Sequence, residues 1–268
     1  FEVLRNLGLS EDFFRSHQFE TFHINHRIAG GSPDRLFFQS EFGCGGIPIW
    51  PEILDYYDDG SGITYRDEAV YRHIDSILKQ YYDRELTDVF PSYEQALLET
   101  QVVQASSLRR MVEALRTNRH CAGYVFTQLH DNDYECNAGI LDPLFRPKLA
   151  FEAAKEANRP LCVVLETWER TTYTGGSYST TVYVVNDAGI EGALALKITA
   201  TDPKGRELFS HQSTFQARCG ISEVFSGTVP AGDGAGWCTT TARLMKNGRL
   251  LDSAEYRTFV MPDLDMSA

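Results

Sequence analysis

Two textures divide the chain, and they meet near Asn158-Arg159-Pro160. Upstream, apolar positions recur at helical spacing. The stretch from Arg66 to Tyr82 places Val70, Ile74, Ile77, Leu78 and Tyr81 on one stripe. A second, from Leu97 to Arg116, aligns Leu97, Gln101, Gln104, Ala105, Leu108, Met111, Val112 and Leu115. Arg109, Arg110 and Arg116 lie towards its carboxyl end, where positive charge suits the helix macrodipole. Short apolar runs, Leu36-Phe37-Phe38 and Cys121 to Leu129, flank the helices. Runs apolar on both faces suit strands of a parallel sheet covered by helices. Strand, loop, helix, helix, strand predicts α/β structure over 34–128.

Downstream the period falls to two. Cys162 to Trp168 is a β-rich run, Thr180 to Val185 ends in the turn Asn186-Asp187-Ala188-Gly189, and Ala193 to Ala200 alternates before Asp202-Pro203-Lys204-Gly205. Further strands are predicted at 206–217, 221–228, 236–245 and 249–260, the last two joined by Lys246-Asn247-Gly248. About seven short strands over roughly 100 residues predict an all-β sandwich, immunoglobulin-like in architecture alone because the Cys-Trp-Cys core of antibody domains is not evident. The expected domains are 1–158 and 159–268.

Composition narrows the class. A content of 43% hydrophobic and 23% charged residues provides for a core and excludes a disordered chain. The net charge of −12 argues against nucleic acid as a partner, and no apolar run approaches the ~18 residues of a membrane span. Six cysteines without a CxxC pair read as mostly reduced, buried small hydrophobes. The chain begins at Phe1 without a leader pattern, so either a leader has been removed or this is an excised piece of something longer.

Candidate chemistry concentrates in Phe37-Phe38-Gln39-Ser40-Glu41-Phe42-Gly43-Cys44-Gly45-Gly46, an apolar strand that ends in a carboxylate and passes into glycines. Strand ends line the active site of a parallel barrel, and glycines let a backbone turn sharply and a ligand approach. A surface glutamate closing a strand would look the same on four letters. The second anchor is GYVFTQLHDNDYECNAGILDPLFRPK over 123–148, one β/α unit beyond the second helix. Together the segments resemble glycoside hydrolase family 2, the β-galactosidases, β-glucuronidases and β-mannosidases. The match runs through Ser40-Glu41-Phe42-Gly43, Gly123 to Asp131 and Arg146-Pro147-Lys148, and covers roughly residues 35–155.

The resemblance implies a partial (β/α)8 barrel, contributed by its last strands, followed by the β-sandwich. It implies Glu41 as the nucleophile of a retaining β-glycosidase, a carbohydrate substrate and no cofactor. The family's general acid lies in an Asn-Glu pair at the end of the fourth strand, and no Asn-Glu dipeptide occurs here. A whole barrel of about 250 residues plus a sandwich of about 100 exceeds the 268 present. The expectation is the carboxyl-terminal part of a larger glycosidase, completed by an upstream segment of the same protein and inactive alone. Bacterial members of the family are often secreted or periplasmic.

Around Glu41, the resemblance and the strand ends offer Gln128, Asp131 and Trp50 as substrate contacts. Tyr56, Tyr57 and Trp168 are further aromatic platforms that read equally as core or rim. Family members often carry Trp where Thr127 stands, so a stacking wall is missing there. His130, Asp131, Asp133, Glu135 and Cys136 have metal-ligand types without zinc or calcium spacing, so no metal is expected. Asp55, Asp58, Asp59 and Gly60 begin like a calcium loop whose twelfth position is Arg66 in place of Glu, and His23 and His26, three apart, read as a partly buried pair without a ligand in preference to a strand end of the barrel. Cys44 lacks a base. The competing reading is a non-catalytic carbohydrate-binding or interaction module that keeps a barrel remnant as scaffold.

Overall fold

The computed structural model describes residues 36–58, 60, 65–132, 135–167 and 169–262. His23, His26, Asp59, Asp133 and Trp168, singled out above, lie outside these residues. The chain divides into two compact units. Described residues up to Leu115 form the first with His120–Asn158, and Arg116–Arg119 form the second with those from Arg159 onwards.

The first unit is α/β. Strand β1 (Phe37–Gln39) is followed by α1 (Trp50–Tyr57), α2 (Arg66–Glu85) and α3 (Tyr93–Thr117), then β2 (Cys121–Tyr124) and α4 (Leu149–Ala157). β1 and β2 pair in parallel, with Phe38 opposite Gly123 and Gln39 opposite Tyr124. Pro51 sits in the first turn of α1, where its missing N–H leaves no bond unmade. At the start of α2 the Glu68 carboxylate accepts the Tyr65 N–H at 3.3 Å, satisfying one otherwise orphaned donor.

The α3 stripe buries Leu97, Gln101, Gln104, Leu108, Met111, Val112 and Leu115. Leu108 and Val112 are fully buried against Phe42, Ile140, Ala150 and Ala154. Each contributes roughly 1.5–3 kcal/mol through removal of apolar surface from water. On α2 the stripe is rotated from the predicted one. Tyr71 and Tyr82 are buried, whereas Ile77 and Tyr81 are more than half exposed. The aromatic residues choose this face: Tyr71 stacks on Trp50 at 5.2 Å, and Tyr82 meets Tyr93 at 5.8 Å. Helices α1 and α4 carry no stripe long enough to have been predicted.

Apart from the end of α3 in Arg116–Arg119, the regular elements among the described residues of the second unit are all strands. Eight strands follow: β3 (Leu161–Glu166), β4 (Thr171–Tyr173), β5 (Ser177–Asn186), β6 (Gly192–Thr201), β7 (Glu207–Ala217), β8 (Gly220–Pro230), β9 (Gly236–Lys246) and β10 (Arg249–Met261). They form a five-stranded sheet in the order β4-β10-β9-β6-β7 and a three-stranded sheet, β3-β5-β8. Val163, Leu165, Val182 and Val184 of the smaller sheet pack on Leu194, Leu196, Ile198, Ala242, Leu244 and Tyr256 of the larger, which makes a sandwich. The Asn247-Gly248 hairpin forms as its sequence predicts: Lys246 pairs with Arg249, and φ is positive at both turn residues, 50° and 78°. None of the six cysteines is in a disulfide. Only Cys162 and Cys238 are buried, so the expectation of mostly buried thiols holds for those two alone, with Cys44 and Cys219 exposed.

Candidate active site

The parallel pairing of β1 and β2 continues beyond the strands themselves. Val125 N–H donates to the Gln39 carbonyl and Thr127 N–H to that of Phe42, at 2.9 and 2.8 Å. Phe42 is buried, with Tyr124 and Phe126 meeting its ring edge-on at 6.0 and 6.2 Å. Glu41, one residue earlier, is exposed. Its backbone carbonyl accepts Gln39 Nε2 at 2.7 Å. The buried phenylalanine thereby anchors the strand end from which the carboxylate projects.

The glycine loop after Glu41 is held by side chains of α3 and by Lys148. Gly43 has φ +106°, a conformation that L side chains rarely adopt, and the chain turns there. Gln104 Nε2 reaches the carbonyls of Gly43, Ala138 and Gly139 at 2.9, 3.3 and 3.1 Å. Gln101 Nε2 donates to the Ile47 carbonyl at 2.9 Å, and Ile47 N–H donates to Thr100 Oγ1 at 2.8 Å. Gly45 N–H bonds the Asn137 carbonyl at 2.8 Å. Lys148 Nζ donates to the Gly46 carbonyl at 2.7 Å and to Asp131 Oδ2 at 2.6 Å, while Asp131 Oδ1 accepts the Gly139 N–H at 2.7 Å. Irregular backbone would be costly to bury unpaired, and these polar side chains satisfy it.

Burial acts on this ion pair in both directions. It pushes the Asp131 carboxyl above its ordinary range, and the Lys148 ammonium opposes that shift. It pulls Lys148 down, with Asp131 opposing. Cys44 is exposed by surface area, yet the loop around its thiol strips enough water to raise it, and the nearby carboxylates of Glu135 and Glu41 raise it further. A thiol held protonated in this way is a poor nucleophile.

The predicted contacts separate into two groups. Gln128 stays beside the strand end: its N–H bonds the Ala138 carbonyl at 3.0 Å, its carbonyl accepts Ile140 N–H at 3.1 Å, and its Nε2 donates to the Glu135 carbonyl at 3.2 Å. The peptide between Thr127 and Gln128 is cis. Asp131 and Trp50 leave the list of sugar contacts. Asp131 is 0% exposed with both oxygens engaged, so it is a structural counter-ion. Trp50 is also 0% exposed and stacked on Tyr71, which makes it core.

Of the other aromatic platforms, Tyr56 is exposed and Tyr57 donates its hydroxyl to Asp67 at 2.8 Å. Among the described residues no three His, Cys, Asp or Glu side chains converge on a metal-sized site. Gln101 and Gln104 interrupt the apolar stripe of α3, and their buried amides bond the backbone of the neighbouring loops. That polar interruption of an apolar face was the signal for the scaffold beneath the glycine loop.

No protein-family model and no curated protein matches the sequence. Solved structures do. A β-D-mannosidase from Dictyoglomus thermophilum superposes with a TM-score of 0.62 at 17% identity, over 89% of this chain and 28% of its own. The exo-β-D-glucosaminidase CsxA of Amycolatopsis orientalis gives a TM-score of 0.54 at 15% identity, over 81% of this chain and 27% of its own. A glycosyl hydrolase family 2 member from Bacteroides cellulosilyticus matches 37% of this chain and 14% of its own, at 12% identity and a TM-score of 0.31. The chain therefore spans less than a third of the length of these enzymes. The first two matches establish a likeness of fold to glycoside hydrolases.

Proposed function

We propose that this chain is the carboxyl-terminal part of a retaining β-glycosidase of the family 2 type, with Glu41 as its nucleophile. In this reading β1 and β2 are the last two strands of a (β/α)8 barrel, and an upstream segment supplies the rest. The observation that carries it is Glu41 itself: an exposed carboxylate at the carboxyl end of a parallel strand, followed by a glycine loop whose backbone is held by buried side chains. The fold likeness to a β-mannosidase and a β-glucosaminidase supports the reading.

The chemistry follows from that placement. Glu41 attacks the anomeric carbon as a carboxylate while a partner acid protonates the leaving oxygen, and a glycosyl ester forms on Glu41. Water then attacks the same carbon, the partner acts as base, and the Glu41 carboxylate is released. The two carboxyl groups must lie about 5–5.5 Å apart. The upstream segment provides the acid, so the 268-residue chain alone turns over no glycoside. In this reading Gln128 contributes hydrogen bonds to sugar hydroxyls beside Glu41.

A 2-deoxy-2-fluoro glycoside with a good leaving group tests the assignment on the complete protein. Peptide mass mapping is expected to find the sugar on Glu41. Labelling of another carboxylate would overturn the assignment, and turnover of aryl glycosides by the 268-residue chain alone would overturn the dependence on an upstream acid.

A further inference from the structure

The outer face of the five-stranded sheet carries a surface that the sandwich does not require. Where one face of a sheet is buried, the other is normally filled with polar side chains. Alternation sends Cys238, Thr240 and Ala242 of β9 inward with Ala254, Tyr256 and Thr258 of β10. The outward set includes Trp237 and Phe259, directly opposite one another in the ladder. Their rings meet edge to face at 5.1 Å, and the Arg257 guanidinium lies 4.9 Å from the Trp237 ring. Trp237 remains 48% exposed. Beyond this aromatic pair the face changes character at once: Arg257 stands opposite Thr239, and Glu255 opposite Thr241.

We infer that this face binds an oligosaccharide. A pyranose has an apolar face of C–H groups and a rim of neutral hydroxyls, and the surface has the matching halves side by side. Trp237 and Phe259, their rings inclined at 69°, provide an angled apolar corner whose indole also carries the Arg257 guanidinium. Arg257, held over the indole, and Glu255 provide a donor and an acceptor for sugar hydroxyls, with the hydroxyls of Thr239 and Thr241 opposite them on β9. The other macromolecules fit less well. The chain's charge of −12 repels a phosphate backbone. A protein hot spot is centred in a well-packed apolar pocket, whereas this aromatic pair borders a field of hydroxyls. The surface belongs wholly to the second unit, and the inference does not depend on Glu41.

Titration of the 268-residue chain with manno-, cello- and chitosan hexaose, all β-1,4-linked, tests it, with indole-labelled NMR and calorimetry as readouts. At least one hexasaccharide is expected to shift the Trp237 indole signal saturably, and equally so in Glu41→Ala. Trp237→Ala is expected to weaken that affinity about tenfold or more, and Trp237→Tyr to retain most of it, which keeps the test sound should the alanine variant unfold. No Trp237 shift with any of the three, or an affinity unchanged in a folded Trp237→Ala, overturns the inference. Self-association by sedimentation that disappears in Trp237→Ala, without sugar binding, would assign the face to a second copy of the chain and equally overturn it.

Discussion

Lys148 and Asp131, 17 residues apart, meet at 2.6 Å with side-chain exposures of 2% and 0%. Through this pair the segment carrying Gln128 and the glycine loop following Glu41 are tied to one ammonium group, since Lys148 also holds the Gly46 carbonyl. A buried pair of this kind is a weak source of net stability, because each charge loses its hydration. Breaking it is costly, because the remaining charge stays buried without a partner.

Lys148→Met should therefore destabilise the first unit by about 3–5 kcal/mol, and Asp131→Leu by a similar amount. The double variant should lose less than the sum of the two. Urea unfolding followed by tryptophan fluorescence measures all three. Additive losses would show that the two residues act independently.

Gly46 is the next test. A Cβ there would fall within the Gln104 side-chain amide, which is itself fully buried and bonded to three carbonyls. Gly46→Ala should cost about 1–3 kcal/mol through overpacking. Gly45, where an added Cβ meets nothing within 4 Å, has φ +137°, so Gly45→Ala should cost backbone strain without a steric clash. Removing the Gln104 side chain to alanine should relieve most of the Gly46→Ala clash while introducing its own loss, a coupling that a double-mutant cycle reads directly.

The sandwich should be acid-sensitive through Asp202. Its Oδ1 accepts the N–H groups of Lys204 and Arg206, both at 2.8 Å, and its Oδ2 accepts Arg206 Nε at 2.7 Å. Burial works against the charge, but these bonds outweigh it and hold the carboxyl below the ordinary value of 3.8. The unfolded chain thus takes up this proton first as pH falls. The stabilisation is complete above the unfolded value and is lost as pH falls through the lower folded one. Asp202→Asn should therefore be less stable than the parent chain at pH 6, with the difference shrinking at pH 3 and below, as followed by chemical unfolding of both proteins.

Glu41→Ala in the complete protein should lower turnover by a factor of about a thousand or more without altering the fold. Azide added to this variant should restore part of the activity and give a glycosyl azide of inverted configuration, because the small anion takes the space of the missing carboxylate on the same face of the sugar. A variant that azide does not rescue, or a product of retained configuration, would count against a nucleophilic role.

Much of the architecture was legible in the chain because local patterns and tertiary burial agreed. The α3 stripe, the period-two strands after Pro160 and the Asn247-Gly248 hairpin depend on spacing and on backbone conformation at single residues, which a sequence carries directly. The acidic end of the apolar run was legible from residue type: Phe42 is buried and the carboxylate beside it, Glu41, is exposed.

Other features were decided only by long-range packing. Trp50 and Asp131 have residue types suited to binding a sugar, yet Tyr71 closes over one and Lys148 neutralises the other. The stripe of α2 was rotated by aromatic partners on α1 and α3, which its own periodicity does not encode. The Trp237–Phe259 pair exists only because β9 and β10 fall into one register. Residue type and spacing set which way a side chain points along its own element, whereas its exposure depends on which distant residues the fold brings against it.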